Sequence, residues 1–257
     1  MIRIEQGDGT LLKRSPPMIF PEMKLAHFYC KGEGLELGAA AHNPFNLPGC
    51  KNVAPDAPDL DHTHRKSFEL FRDLQLEMCN AYALIDMVGV AVELPVPDRS
   101  QDYILSSHVV EHLPNVIGAF FEWKRVLRPG GIVFMIIPKG EVSDRGRPLT
   151  TIDHFVRDYE SEYDLDTHPA PPGQHKESYH YHVFSLRSLL RLIDYCNRNL
   201  DLGWKIVAAE QTDSKVGNGH TVVVVNHGSN SQTKYRWPTT TFTFQLVRAL
   251  VNGWRNG

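Results

Sequence analysis

Short apolar runs alternate with amphipathic segments along the chain, and clusters of glycine and proline separate them. In the run before residue 38, Leu35 and Leu37 flank Glu36, and Gly38 and three alanines follow at once. This pattern predicts a buried strand that ends in a tight turn with few side chains, where a ligand can approach the backbone. An ordinary turn from a strand into a helix accounts for the same residues equally well.

The same pattern, followed along the whole chain, predicts the other strands and helices. The predicted strands span Leu35–Leu37, Lys51–Ala54, Leu84–Val88, Asp102–Ser106, Ile132–Ile137, Trp204–Gln211 and Thr221–Asn226. The predicted helices span Pro21–Cys30, His64–Cys79, Asn115–Leu127 and Ser185–Asn197. Because strands and helices alternate, we expect an α/β fold with a mainly parallel, seven-stranded sheet and helices on both faces, ending in an antiparallel pair of strands.

Residues 139–184 lack a regular apolar period and are rich in charge, proline and histidine. This stretch follows the fifth strand and is too long for a plain connection, which indicates a functional insertion such as a lid or a substrate-binding segment. We therefore divide the chain into an N-terminal arm (1–30), a main domain (31–226) that contains this histidine-rich insertion, and a C-terminal tail (227–257).

The C-terminal tail begins as a polar segment and becomes apolar from Phe242 to Trp254, with Arg248 and Arg255 among the apolar residues. One interpretation is that the tail packs against the main domain or against a second subunit in a homodimer. The other is that it lies on a membrane surface as a peripheral contact.

Composition narrows the function classes. The 257 residues carry a formal net charge of −3, so no broad basic field favours nucleic acid as a partner. The 4 cysteines are scattered without a C-x-x-C pair and no secretory signal is evident, so we expect a reducing, cytoplasmic location. No apolar run approaches the ~20 residues that cross a bilayer, so we expect no transmembrane segment.

Three segments together resemble the class I S-adenosylmethionine-dependent methyltransferases of the type 11-like group. They are LELGA at 35–39, ELPVPDRSQDYILSSHVVEHL at 93–113 and RVLRPGGIVFMIIP at 125–138. Two later segments, RPLTTIDHFVRDY and HYHVFS, are similar to a subgroup found with bacterial polysaccharide and glycan biosynthesis genes. The resemblance implies a Rossmann-like fold, S-adenosylmethionine as the cofactor and methyl transfer as the reaction.

The resemblance also implies a set of cofactor-binding residues. They are Glu36, Gly38, Ala39, Asp56, Ala91, Val92, Leu94, Ser107 and His108. In the family, the acid of the first strand organises the methionine end, the acid after the second strand takes the ribose hydroxyls, and the loop around Leu94 flanks adenine. The chain departs from this pattern at two places. Val90 stands where the family has an acid, and Ala39–Ala41 stand where the family has a glycine-rich loop.

Two of these acids have a simpler interpretation. Glu36 is also explained as a buried acid that is paired inside the sheet, since charges in strands are seldom left unpaired. Asp56 lies about 20 residues after the glycine turn, the spacing of a ribose-binding carboxylate. It also stands between Pro55 and Pro58, where it would form an Asx turn without any ligand.

Methyl transfer to a hydroxyl requires a base, because the acceptor loses a proton as the new bond forms. We assign the catalytic role to His108, His182 and Asp144, since the first follows the fourth strand and the others lie in the insertion. The expected acceptor is a sugar hydroxyl of a cell-surface glycan or of its precursor.

Two rival hypotheses remain. The departures at Val90 and at the alanine turn fit a cofactor-binding protein that has lost catalysis. The histidines of the insertion fit a metal-dependent hydrolase, with His180 and His182 on the same side of an extended strand and with Glu177 or Asp153 as a further ligand. No fixed ligand spacing is present, so we assign no metal ligands.

Overall fold

The structure is a computed structural model that describes residues 21–38, 45, 47–54, 85–164, 166–169, 180–215 and 217–228. Most of the N-terminal arm, the helix expected at His64–Cys79 and nearly all of the C-terminal tail lie outside the described residues. No helix in the described part of the chain is long and apolar enough to cross a membrane.

The described residues form strands and helices that alternate along most of the chain. The strands are β1 (Gly34–Leu37), β2 (Cys50–Ala54), β3 (Met87–Val88), β4 (Gln101–Ser107), β5 (Leu127–Pro138), β6 (Trp204–Glu210) and β7 (Gly219–Asn226). The helices are α1 (Pro21–Tyr29), α2 (Val116–Val126), α3 (Gly140–Ser143), α4 (Ile152–Glu160) and α5 (Leu186–Asn199). A single 3-10 turn, Val110–His112, lies between β4 and α2.

Within the described ranges the sheet has seven strands in the order β3-β2-β1-β4-β5-β7-β6. The pairs from β3 to β5 are parallel, and β7 runs antiparallel to both of its neighbours. In this register Leu37 lies between Val53 and Ser106, so β1, β2 and β4 end at the same edge. The predicted α/β, Rossmann-like fold and its antiparallel terminal pair are confirmed.

Helices cover both faces of the sheet, as the sequence predicts. On one face the α2 side chains Phe120 and Trp123 pack with Trp204 of β6, and the ring centroids of Phe120 and Trp204 lie 4.9 Å apart. On the other face Leu25 and Ala26 of α1 pack in a second apolar cluster with residues of β4, β5 and β7. The two clusters take alternate residues of each strand because successive side chains point to opposite faces.

Between β5 and α5 the structure departs from the sequence prediction. We expected no regular structure in residues 139–184, but residues 152–160 form α4, which Thr151 caps by accepting a hydrogen bond from the backbone N–H of His154. The apolar positions Ile152, Phe155, Val156 and Tyr159 have helical spacing and pack on the main core. The sequence analysis missed this helical spacing because charged residues separate the apolar positions.

The predicted helix after residue 184 is confirmed, and its first turn explains where it begins. Ser185 accepts a hydrogen bond from the backbone N–H of Ser188 at 3.1 Å, and the Ser188 hydroxyl accepts one from the Ser185 N–H at 2.9 Å. This reciprocal capping box satisfies two backbone donors that the helix itself leaves unpaired. It also fixes where α5 begins after the insertion.

The change Ser185→Ala removes this cap and is expected to lower the free energy of unfolding by about 1 kcal/mol. Chemical denaturation monitored by circular dichroism measures the loss. The variant Ser185→Asp keeps an acceptor at the same position and serves as the control. Equal stability of the alanine variant and the wild type would contradict this account of the helix start.

Candidate active site

The candidate site lies at the carboxyl ends of β1 and β4. From β1 the sheet continues through β2 and β3 on one side and through β4 and β5 on the other. The chain connections therefore leave β1 and β4 in opposite directions, which opens a crevice at this edge of the sheet. Ligands of open α/β sheets bind in such a crevice.

Gly38 closes the end of β1 against the loop that follows β4. Its φ angle is +71°, and a Cβ atom at this position would lie 2.5 Å from Cγ2 of Val109. Its backbone N–H donates to the carbonyl of Val53 at 2.9 Å, which continues the sheet pairing to the crevice. Only glycine fits both the backbone angle and the contact. Ala39 lies outside the described residues.

Glu36 is a buried acid in the middle of β1. Neither carboxylate oxygen has a hydrogen-bond partner within the described part of the chain. Burial raises the pKa of this carboxyl group, and the positive charge of Lys215 lowers it by a smaller amount. Glu36 is therefore a buried acid without a hydrogen bond in the described chain, and Lys215 is the charge that acts on it.

Lys215 is a site residue that the sequence analysis missed. It lies in the connection between β6 and β7 and is buried, and its Nζ donates to Oγ of Ser107 at 2.8 Å. The same Nζ lies 5.3 Å from the centroid of the Phe45 ring. No local pattern reveals this lysine, because 108 positions separate it from Ser107. The crevice thus holds a buried acid and a buried amine.

Residues 90–96 form a loop beside the crevice. Side chains of α2 fix the conformation of this loop by hydrogen bonds. The indole Nε1 of Trp123 donates to the carbonyl of Ala91 at 3.0 Å, and the N–H of Leu94 donates to Glu122 at 2.6 Å. The side chain of Leu94 is buried in the core, whereas Val92 is exposed. Of these two predicted adenine-loop residues, only Val92 therefore has an exposed side chain. Asp56 lies outside the described residues.

His108 stands at the tip of β4 in a backbone conformation that is rare for residues with a side chain. Its φ angle is +56°, and its Nδ1 lies 3.5 Å from Oε1 of the buried Glu111. His112 Nε2 lies 3.8 Å from the same oxygen. His108 Nε2 has no hydrogen-bond partner among the described residues. A carboxylate at Nδ1 orients the ring so that Nε2 can accept a proton.

Asp144 belongs to the same network at its far end. Its carboxylate lies 2.5 Å from Nη1 of Arg147 and 2.9 Å from Nδ1 of His180. The ring of His180 contacts the ring of His112 edge-on, with 4.7 Å between their centroids. The structure thus links two predicted catalytic residues, His108 and Asp144, through a continuous set of polar side chains.

The side chain of His182 lies apart from this network and is fully buried, while its backbone N–H donates to the carbonyl of Glu111 at 3.3 Å. Its Nε2 lies 3.6 Å from Oδ2 of Asp158 and 3.2 Å from the carbonyl oxygen of Pro114. Burial lowers the pKa of this imidazole to about 3. The prediction that His180 and His182 would join one ligand set is wrong, because the two side chains contact different carboxylates.

The fold and this crevice define an α/β protein with a ligand site at the switch point of its sheet. The sequence profile described as "Methyltransferase domain" matches residues 67–135. The chain is 39% identical over 59 residues to a probable S-adenosylmethionine-dependent methyltransferase of Mycolicibacterium smegmatis. That segment covers 23% of this chain and 23% of the relative. Residues 67–135 are therefore similar to methyltransferase-domain sequence.

Two solved structures are similar across most of the chain. One is a SAM-dependent methyltransferase from Aquifex aeolicus, at 19% identity and a TM-score of 0.45, which covers 80% of this chain and 89% of that one. The other is described as a possible histamine N-methyltransferase from Thermotoga maritima, at 18% identity and a TM-score of 0.44, covering 80% and 88%.

The raised pKa of Glu36 predicts a pH dependence of stability in the ligand-free protein. The folded state binds the proton more tightly than the unfolded state, so this stabilising contribution is complete below pH 4.5 and is lost as the pH rises towards about 8. Relative to Glu36→Gln, which mimics the protonated acid, the wild type should lose stability across that window. Thermal denaturation of both proteins at several pH values measures the difference in Tm. If the Tm of both proteins changed with pH in the same way, the raised pKa of Glu36 would be contradicted.

Proposed function

We propose that the protein is an S-adenosylmethionine-dependent methyltransferase that methylates a sugar hydroxyl of a cell-surface glycan or its precursor. The observation that carries the proposal is the buried Glu36, which has no hydrogen-bond partner in the described chain, beside Gly38 at the switch point of the sheet. The match to methyltransferase-domain sequence and the resemblance of the β4 and β5 segments support it.

The charges of the crevice suit the methionine end of this cofactor, which is a zwitterion. Glu36 would accept hydrogen bonds from its amino group, and the buried Nζ of Lys215 would pair with its carboxylate. Gly38 would leave room for the backbone to approach, and Asp56 is assigned to the ribose hydroxyls by resemblance. When bound, S-adenosylmethionine supplies a methyl group on a positively charged sulfur. The residues present therefore fit the cofactor.

His108 would act as the general base. With Glu111 at Nδ1, its Nε2 is the atom that would take the proton of the acceptor hydroxyl, a role worth ~10² to 10⁴ in rate. His108 Nδ1 and Glu111 lie 3.5 Å apart and form no hydrogen bond in this structure, and binding of a substrate would bring them closer. Asp144 would position His180 rather than remove a proton, because Arg147 and His180 already engage it.

The acceptor half of the proposal concerns the insertion. A row of polar and aromatic side chains follows His108 in the network. It supplies ring nitrogens, charges and aromatic edges, and its members are His112, His180, Asp144 and Arg147. Such groups suit a polyhydroxylated sugar, whose hydroxyls donate and accept hydrogen bonds. The resemblance of residues 147–159 and 180–185 to enzymes of glycan assembly supports the same substrate class.

A cytoplasmic location and a homodimer also belong to the proposal. Cys30, Cys50 and Cys196 are free thiols in the described part of the chain, which accords with a reducing compartment. We assign one of two roles to the C-terminal tail. It packs against a second subunit, or it makes a peripheral contact with a membrane.

The change Glu36→Gln should weaken binding of S-adenosylhomocysteine roughly 10- to 100-fold, because it removes a charged hydrogen bond in a buried site. Isothermal titration calorimetry measures the affinity. Glu160→Gln, at the exposed end of α4, is the matched control and should bind as the wild type does. Undiminished affinity of the Glu36 variant would remove this residue from the cofactor site.

The change His108→Asn should reduce kcat by ~10² to 10⁴ and leave the affinity for S-adenosylhomocysteine nearly unchanged. Asparagine tolerates the positive φ at this position, so the backbone at the tip of β4 is kept. Transfer of labelled methyl to sugar nucleotides and lipid-linked glycans measures kcat.

The exposed His227 provides the control, because His227→Asn should keep full activity. Full activity of the His108 variant would exclude this histidine as the base. Cofactor binding without any methyl transfer by the wild type, across the whole panel, would favour the catalytically inactive cofactor-binding protein.

A further inference from the structure

We infer that His154, Asp158, His168 and His182 bind one divalent transition-metal ion of the zinc type, in a structural site inside the insertion. The inference is independent of the methyl donor and of the acceptor. The sequence analysis considered the histidines of the insertion as metal ligands, but it did not include Asp158 and did not group these four residues together.

Three imidazoles lie around one carboxylate oxygen. Oδ2 of Asp158 lies 3.2 Å from Nε2 of His154, 3.5 Å from Nε2 of His168 and 3.6 Å from Nε2 of His182. Around a tetrahedral zinc ion with bonds of about 2.0–2.2 Å, neighbouring ligand atoms are separated by roughly 3.3–3.6 Å. Ligand atoms of His154, Asp158 and His182 all lie within 4.8 Å of one another.

These contacts are not well-aligned hydrogen bonds. Oδ2 of Asp158 and Nε2 of His168 have no hydrogen-bond partner of good geometry among the described residues, although both belong to buried side chains. The ring nitrogens thus surround the carboxylate oxygen at distances that also suit a shared ion. An ion between them would satisfy every one of these atoms, whereas an empty cluster leaves buried polar atoms unpaired at a cost.

The second ring nitrogen of His168 supports the assignment. Its Nδ1 lies 2.9 Å from the carbonyl oxygen of Pro169, so Nδ1 carries the proton and Nε2 keeps its lone pair. A carbonyl behind a histidine is the usual way in which proteins orient a metal ligand. For His182, the hydrogen bond from Nε2 to the Pro114 carbonyl at 3.2 Å would be exchanged for the bond to the ion.

The fold brings these ligands together from separate elements. His154 and Asp158 stand one turn apart on α4 and therefore share a face of the helix. Asp164 accepts hydrogen bonds from the N–H groups of Asp166 and Thr167, which fixes the turn that returns His168 to the same face. His182 comes from the segment just before α5. An ion at this point would join the two ends of the insertion.

The donor set indicates which ion and which role. Three imidazoles and one carboxylate suit zinc, and they also suit cobalt as its spectroscopic substitute. His154, Asp158 and His182 form the core of the site, and His168 would move onto the ion as the fourth ligand. Four protein ligands would close a tetrahedral site and leave no position for a substrate or a reactive water. The ring of Phe155 packs on His182, with 4.6 Å between the centroids, and shields that side. The site therefore differs from the open metal centre that the hydrolase hypothesis requires.

Metal analysis of the full chain, expressed without an affinity tag and purified without chelators, tests the inference. We expect about one zinc ion per chain in the wild type. The variants Asp158→Asn and His154→Asn each remove a ligand and should weaken zinc affinity by more than the ~10- to 100-fold that loss of an outer partner causes. His154 is 38% exposed, so its replacement leaves the buried packing intact. His227→Asn is the control for nonspecific binding by histidine.

Visible absorption of bound cobalt provides a second test, because four-coordinate Co²⁺ absorbs far more strongly in the visible range than the hydrated ion. The wild type and the His227 variant should acquire this absorption at one equivalent, and zinc should displace it. Added zinc should also raise the Tm of the metal-stripped wild type but not that of the Asp158 variant.

The inference would be overturned by a wild type that lacks zinc and takes up neither ion saturably. It would equally be overturned if both ligand variants bound metal as the wild type does. In that case the ion would occupy the other cluster with metal-ligand spacing, Glu111, His112 and His180.

Discussion

The reversal of strand order between β1 and β4 is the constraint on which the rest of the structure depends. It places the ends of these two strands side by side while their connections turn away from each other. Gly38 and His108, the residues that end the two strands, both adopt positive φ angles there. The crevice between them is thus a consequence of topology, and the insertion after β5 adds side chains on its outer side.

The crevice brings together two buried ionisable side chains, the carboxyl group of Glu36 and the amine of Lys215. Glu36 is buried without a hydrogen bond in the described chain, and Lys215 brings a positive charge to the same crevice. Such an arrangement is costly in the ligand-free state, since charged groups lose hydration there. A zwitterionic ligand would give Glu36 a hydrogen-bond partner and would place a negative charge near Lys215. The polar network from Glu111 to Asp144 continues along this edge, where we propose that the acceptor binds.

The sequence predicted the parts of this arrangement that depend on neighbouring residues. The strands at Leu35 and Asp102, the helix that begins near Ser185 and the turn at Gly38 each follow from a local pattern of apolar or glycine residues. Lys215 and the partners of Asp158 were not predicted, because only the tertiary fold brings them to their sites. Helix α4 was missed although Thr151 and its apolar period were present, since charged residues interrupt the pattern.

A crystal structure of the protein with S-adenosylhomocysteine is the measurement that tests the central claim most directly. The account predicts the ligand in the crevice between β1 and β4, with its amino group on Glu36 and its carboxylate near Lys215. A ligand bound elsewhere, or a crevice that the side chains around Gly38 fill at saturating ligand, would contradict it.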